Sequence, residues 1–527
     1  MKRLIIIATV GLLSFGTAWA DSTLADLIQN GRRVAALELI EEGADVNAAQ
    51  GDGTTPLHWA VYKIDTELTG RLLAMGAEPD AVNRYGSSPL AEAVKVANVP
   101  LVQMLLESGA AADAPNLDGQ TALMLAARAG SVEVAQLLVE HGADVNAREN
   151  WRGQTALMWA AEGRYAELTE YLIEQGADVR ARAVANDWGA QITSEPRAQY
   201  RPTGGLTPLL YAARSGCVGC VSAILAAGED IDRPTPDGVT PLMIALDNFE
   251  FDAAKRLLDE GANPHYADWW GRTALYLAVD MNTYVPRAPY SSSGFETGYQ
   301  GTLSSKTSAM EIVRQLIAAG VEVNTQLNMH RPGRGGNSAR FVDDLLTTGA
   351  TPLLRAAIMH DHEAMRLLLE HGARVDLPNV MGVTPLMAAA GIGVRDIYFG
   401  SNRSPKFDTD ELIEDRVMTS FEILLAAGAD INASVTDLHS RTARIARSSR
   451  MTDTEGQTAI YSAASRGWTR VVEFLVAHGA EVDIVDALGR SPLDASLGRL
   501  GSRDTVVSEE IAEILRKAGA DGSASGA

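Results

Sequence analysis

Short apolar runs recur along this chain in one frame: "GTTPLHWA", "GQTALMLA", "GQTALMWA", "GLTPLLYA", "GVTPLMIA", "GRTALYLA", "GATPLLRA", "GVTPLMAA" and "GQTAIYSA". In each, residues such as Leu57 and Ala60 are spaced to share one face of a short helix. The hydroxyl residue heading each copy falls at Thr55, Ser88, Thr121, Thr155, Thr207, Thr240, Thr273, Thr351, Thr384, Thr458 and Ser491, with most gaps 33 or 34. A hydroxyl there predicts a helix N-cap, and Pro56, Pro208 and Pro241 fit the first helical position after it. A second apolar-periodic run follows, as in "VEVAQLLVEHG", and its terminal glycine predicts a left-handed stop. These glycines are Gly43, Gly76, Gly109, Gly142, Gly176, Gly228, Gly261, Gly320, Gly372, Gly428, Gly479 and Gly519, and the "GADVNA"-like segment after each predicts a hairpin finger.

The pattern resembles the ankyrin repeat across residues 21–519, in about twelve units. The resemblance implies an all-α solenoid with projecting fingers, built for binding rather than catalysis. No unit can bury its own apolar faces, so stacked copies share one core between polar end caps. Residues 22–48 fit the first cap and 491–518 the last, and 520–527, "ADGSASGA", is expected to be a disordered tail.

Departures from the period individualise the chain. Gly-to-Thr spacing is normally 12 but grows to 31 from Gly176 to Thr207, 31 from Gly320 to Thr351 and 30 from Gly428 to Thr458, which predicts three extended fingers. Two further insertions, about 280–307 and 391–415, separate the two helices of a unit and mix aromatics with Gly, Pro and Ser, as adaptable binding loops do.

Residues 1–20, "MKRLIIIATVGLLSFGTAWA", read as a secretory signal peptide: Lys2 and Arg3, an apolar run, then Ala18-Trp19-Ala20. The apolar run is shorter than a bilayer span requires. A periplasmic or secreted location is therefore expected. The chain carries a formal charge of -22, or -24 without Lys2 and Arg3, which disfavours nucleic acid and anionic membranes as partners. The extended fingers depart from this acidity: residues 180–202, 327–341 and 438–451 hold eleven arginines against Asp187 and Glu195.

Candidate chemistry is sparse. Cys217 and Cys220, the only cysteines, stand three apart at the start of an outer helix; a structural disulfide or buried thiols fit, since Cys220 fills the core slot of Leu68, Leu101, Val134, Leu168 and Val471. His58, His141, His371 and His478 occupy repeat slots, and "HDH" at 360–362 lacks further spaced ligands, so no metal site is expected. "GRGGN" at 333–337 lacks the strand and helix of a phosphate loop, and no cofactor is implied.

The candidate partner-binding residues lie at fingertips. Trp269 and Trp270 stand four and three before Thr273, Trp151 and Arg152 hold those slots before Thr155, and Arg84 and Tyr85 before Ser88. Trp, Tyr and Arg dominate interface hot spots. Arg331, Arg334 and Arg340 of the second long finger, and Arg441, Arg444, Arg447 and Arg450 of the third, suit an acidic partner surface. Trp59 and Trp159, inside inner helices, read as core or groove-lining. The function expected is a non-enzymatic scaffold gripping another exported protein through fingertips and inner-helix groove, possible roles including stabilising or inhibiting an exported enzyme. The competing expectation is an enzyme or small-ligand receptor with its site in the insertions 280–307 and 391–415.

Overall fold

A computed structural model describes residues 23–186, 203–283, 305–328, 345, 347–392, 410–440, 443, 454–499 and 506–520. The chain divides into two compact units, residues 1–181 and 182–527.

The first unit stacks helix pairs in chain order: Leu24–Gln29 with Arg33–Glu41, Pro56–Tyr62 with Thr66–Ala74, Pro89–Lys95 with Val99–Glu107, Ala122–Ala129 with Val132–Glu140, and Ala156–Glu162 with Ala166–Glu174. Each inner helix packs on the inner helix of the next pair, and each outer helix from Thr66–Ala74 onward on the next outer one. The hydroxyl residues do what their spacing predicts: Thr55, Ser88, Thr121 and Thr155 each accept a hydrogen bond from the third backbone N–H of the helix that follows. Each cap satisfies one otherwise orphaned amide and is worth about 1 kcal/mol. Leucines at the matching positions, Leu57, Leu123 and Leu157 from inner helices and Leu72, Leu105 and Leu138 from outer ones, are fully buried.

The second unit repeats the arrangement with Pro208–Ser215 and Val218–Ala226, Pro241–Asp247 and Phe251–Asp259, Ala274–Asn282 and Ala309–Ala318, Pro352–Ile358 and His362–Glu370, Pro385–Ala389 and Asp410–Ala426, Ala459–Arg466 and Thr469–Ala477, and Pro492–Ser496 and Glu509–Lys517. The architecture is helical, as expected. The first extended finger begins as a hairpin, Ala185 pairing antiparallel with Gly204 and Asn186 with Thr203.

The insertions are narrower than the sequence spacing predicts. Residues 280–282 belong to the inner helix Ala274–Asn282, and 410–415 to the outer helix Asp410–Ala426. That outer helix begins early because Ile413, Val417, Phe421 and Leu424 continue its apolar stripe into the core. Within the insertions, residues 284–304 and 393–409 lie outside the described residues, as do residues 1–20, the tail beyond Ala520 and the "GRGGN" stretch.

Candidate protein-binding surface

A fingertip is shaped by one side chain that gathers the amides of its own turn. Asn83 Oδ1 accepts from the N–H of Tyr85 and of Ser87, both at 3.0 Å. Asn116 Oδ1 does the same for Asp118 and Gln120, at 3.0 and 2.9 Å. Glu149 accepts from Trp151, Arg152 and Gln154, at 2.7, 2.7 and 3.0 Å. The turn closes beneath its tip, and the two residues after the gathering side chain face outward.

Neighbouring fingers are stitched by backbone bonds, Arg84 N–H to Asp52 O and Asn150 N–H to Asp118 O, both 2.8 Å. Consecutive tips of the first unit therefore present a row of large side chains: Tyr85 is 76% exposed, Leu117 74% and Trp151 77%. Arg84 and Arg152 beside them are exposed. The Trp151 indole N–H donates to Asp118 Oδ1 at 3.2 Å across adjacent tips. Four residues before the hydroxyl, Leu117 holds the slot of Arg84 and Trp151; the register alone marks it, although leucine does not draw the eye as tryptophan does.

The tryptophan pair of the second unit divides. Trp269 is 44% exposed, whereas Trp270 is only 5% exposed, so the expectation that both point outward is corrected. The cause lies two residues either side. Asp268 accepts from the backbone N–H of Trp270 and Arg272, at 3.0 and 2.9 Å, and its other oxygen takes the Arg272 Nε–H at 2.6 Å. Arg272, itself buried, reaches Asp247 at 3.5 Å and sets its guanidinium against the Trp270 ring, 5.0 Å from the centroid. Trp270 O also accepts from Asn328 N–H at 2.8 Å, at the base of the next finger. The aspartate–arginine pairing recurs at Asp486 and Arg490, without tryptophan.

Trp59 and Trp159 are half-buried on their inner helices. The Trp59 indole donates to Gln50 Oε1 at 2.8 Å and meets Tyr62 edge-on, and Arg128 stands 6.0 Å from the Trp159 ring. The Sγ atoms of Cys217 and Cys220 lie 1.99 Å apart, at disulfide distance, and both residues are buried.

The "HDH" stretch is absorbed by structure. His360 Nδ1 lies 2.9 Å from Ser420 Oγ, His362 Nε2 lies 3.1 Å from the same oxygen and 3.0 Å from Arg416 O, and Asp361 accepts from Ala364 N–H and Asn282 Nδ2. Burial, then His362 and Arg416 nearby, pushes His360 down to about 3. Among the described residues no group of three or more His, Cys, Asp or Glu is placed to hold a metal, and no helix is long and apolar enough to cross a membrane. Arg331, Arg334, Arg340, Arg441, Arg444, Arg447 and Arg450 lie outside the described residues.

Comparison with known proteins matches this pattern over most of the chain. The family described as ankyrin repeats in three copies matches residues 24–116, 93–183, 191–268, 209–285 and 303–397, and the single ankyrin repeat matches 455–487. A putative ankyrin repeat protein of Escherichia coli is 31% identical over 36% of this chain and 90% of its own length. A probable ubiquitin-protein ligase of Oryza sativa is 32% identical, the match spanning 37% of each chain, and the phosphocholine transferase AnkX of Legionella pneumophila is 29% identical over 33% of this chain and 14% of its own. The human ASB11 ankyrin repeat domain aligns over 46% of this chain at 24% identity, with a TM-score of 0.37.

Proposed function

The chain belongs to the ankyrin repeat family, whose repeats mediate protein–protein interaction, and we propose that this member is a non-enzymatic scaffold that grips a partner protein through the fingertips of its first unit. The observation that carries this reading is the row Tyr85, Leu117 and Trp151 on consecutive fingers, each about three-quarters exposed. Scattered exposed apolar residues are ordinary on a protein surface, but three on consecutive fingers, Leu117 and Trp151 in one slot and Tyr85 in the next, flanked by Arg84 and Arg152, form the aromatic and arginine composition of an interface centre. Trp269 extends the reading to the second unit as a separate half-exposed contact. Trp270 does not take part.

The charge segregation noted for the extended fingers supports a partner with an acidic surface, and the Lys-Arg, apolar, Ala-Trp-Ala order of residues 2–20 supports export to the periplasm or beyond. The named enzymes among the relatives are matched over 14% and 37% of their lengths, so their activities are not carried over. At the flanks of the insertions, Asp280 is paired with Arg355, Asn282 with Asp361, and Glu414 with the Arg470 N–H. Those polar groups are committed to holding helices together.

The test is comparative capture from a periplasmic extract on immobilised wild type and on Tyr85→Ala/Leu117→Ser/Trp151→Ala. A protein retained by the first and lost from the second supports the fingertip grip. Retention of the same proteins by both would refute it.

A further inference from the structure

The turn joining inner to outer helix needs one residue in the left-handed region, and glycine fills it at Gly130, φ 75°. Elsewhere in the first unit the same turn position, nine after the capping hydroxyl, holds Ile64 at φ 57°, Ala97 at 50° and Arg164 at 65°. A β-branched residue at positive φ is a backbone outlier, and it persists only where something favours its side chain. In the second unit the reason is visible: Phe249 and His360, at φ 62° and 52°, are buried, Phe249 meeting Phe251 edge-on and His360 bonding Ser420. Ile64 is instead 51% exposed and Arg164 is exposed, so the fold gains no core contact from either.

Those turns carry a cation on each of four consecutive inner helices or just beyond it: Lys63, Lys95, Arg128 and Arg164, all exposed. Exposed Tyr62, Ile64 and Val96 lie among them, and Lys63 Nζ stands 5.9 Å from the Tyr62 ring. The same four inner helices hold only two acids, Glu92, which pairs with Lys95 at 2.9 Å, and Glu162. Of the acids opening the outer helices, Asp65 and Glu67 are bound by Arg33, leaving Glu133 and Glu167 in the first turns of theirs. Along this edge the turns and inner helices themselves, Lys63, Lys95, Arg128 and Arg164 against Glu92 and Glu162, carry a charge of +2 in a chain of net charge -22.

Resting on the protein-binding reading above, we propose that this edge is a track for an extended acidic polypeptide segment of the partner, its carboxylates meeting the cations and its apolar side chains lying on Tyr62, Ile64 and Val96. Packed helices repeat at roughly 8–10 Å. An extended chain advances about 3.3 Å per residue, so one carboxylate every third residue matches one cation per repeat.

The experiment uses the full chain and fluorescein-labelled peptides of glutamate, glycine, serine and leucine, with glutamate either at every third position or in one consecutive block. Anisotropy is read at about 0.05 M salt, where screening is weak. The spaced peptide binds more tightly than the blocked one. Lys63→Ser, Lys95→Ser, Arg128→Ser and Arg164→Ser each weaken it roughly twofold to fivefold, as exposed ion pairs do. Ile64→Gly raises the melting temperature by relieving the turn and also weakens the peptide, a combination that a purely structural residue would not give. Tyr85→Ala/Trp151→Ala leaves peptide binding unchanged. The proposal is overturned if the spaced peptide fails to bind, if the blocked peptide binds equally, or if the quadruple serine variant retains the affinity. Loss of a captured protein by the fingertip variant alongside any of those results would leave the fingertip reading standing and remove only the track.

Discussion

Truncating the two neighbouring tryptophans separately should have unequal consequences. Trp270 is 5% exposed, its ring against the buried guanidinium of Arg272, which is fixed by Asp268 at 2.6 Å and Asp247 at 3.5 Å. Trp270→Ala removes the ring's burial, leaves a cavity and opens the ion pair to water, a loss of about 3–5 kcal/mol. Trp269, 44% exposed, should lose about 1 kcal/mol or less in Trp269→Ala. With a urea slope of about 3 kcal/mol/M, these losses shift the unfolding midpoint of the second unit by about 1 M or more and by about 0.3 M. Long repeat arrays can unfold in parts, so hydrogen exchange of the amides of residues 240–283 gives the local readout beside the urea curve. Exchange there should quicken markedly in Trp270→Ala and little in Trp269→Ala. Equal shifts, or a larger one for Trp269→Ala, would refute the assignment of Trp270 to the interior.

Other consequences follow from single contacts. Thr121→Ala should cost the first unit about 1 kcal/mol in a urea titration, because Thr121 Oγ1 caps the Met124 amide. His360 is buried and pushed down to about 3, below the value of about 6.5 of an unfolded histidine, so its contribution is complete above pH 6.5 and lost as the pH falls toward 3. The urea midpoint of the second unit should fall across that window, less steeply in His360→Gln; parallel profiles would contradict this. Cys217 and Cys220 should resist alkylation in unreduced, denatured exported protein, and reduction should cost at most about 2 kcal/mol for so short a loop.

Much of the fold was legible because each local signal has one physical meaning. Thr121 or Thr155 before an apolar run can cap only the helix it begins, and the spacing of those caps sets the stacking. Helix limits at the insertions were less legible. Residues 410–415 read as loop from the repeat period, yet Ile413 continues a stripe that the core rewards with burial. The tip slots were found by counting back from the hydroxyl residue, and Arg84, Tyr85, Trp151 and Arg152 are exposed where that count puts them. Counting could not separate Tyr85 from Trp270, which share a slot. The difference comes from Asp268 and Arg272, whose pairing draws one tip inward. Residue type misled at Leu117, as exposed as its aromatic neighbours. The turn residues Ile64 and Arg164 carry no sequence mark beyond standing where Gly130 stands, and their strain is seen only in the backbone angles.

The central claim is that the tips of the first unit hold a protein partner. The most direct measurement is the dissociation constant of the captured protein for wild type and for Tyr85→Ala/Trp151→Ala, with the melting curve as folding control. Removing two exposed anchors should weaken binding by about 2 kcal/mol or more, roughly thirtyfold, and leave the melting curve in place, since neither ring is buried. An unchanged dissociation constant in a well-folded variant would contradict the account.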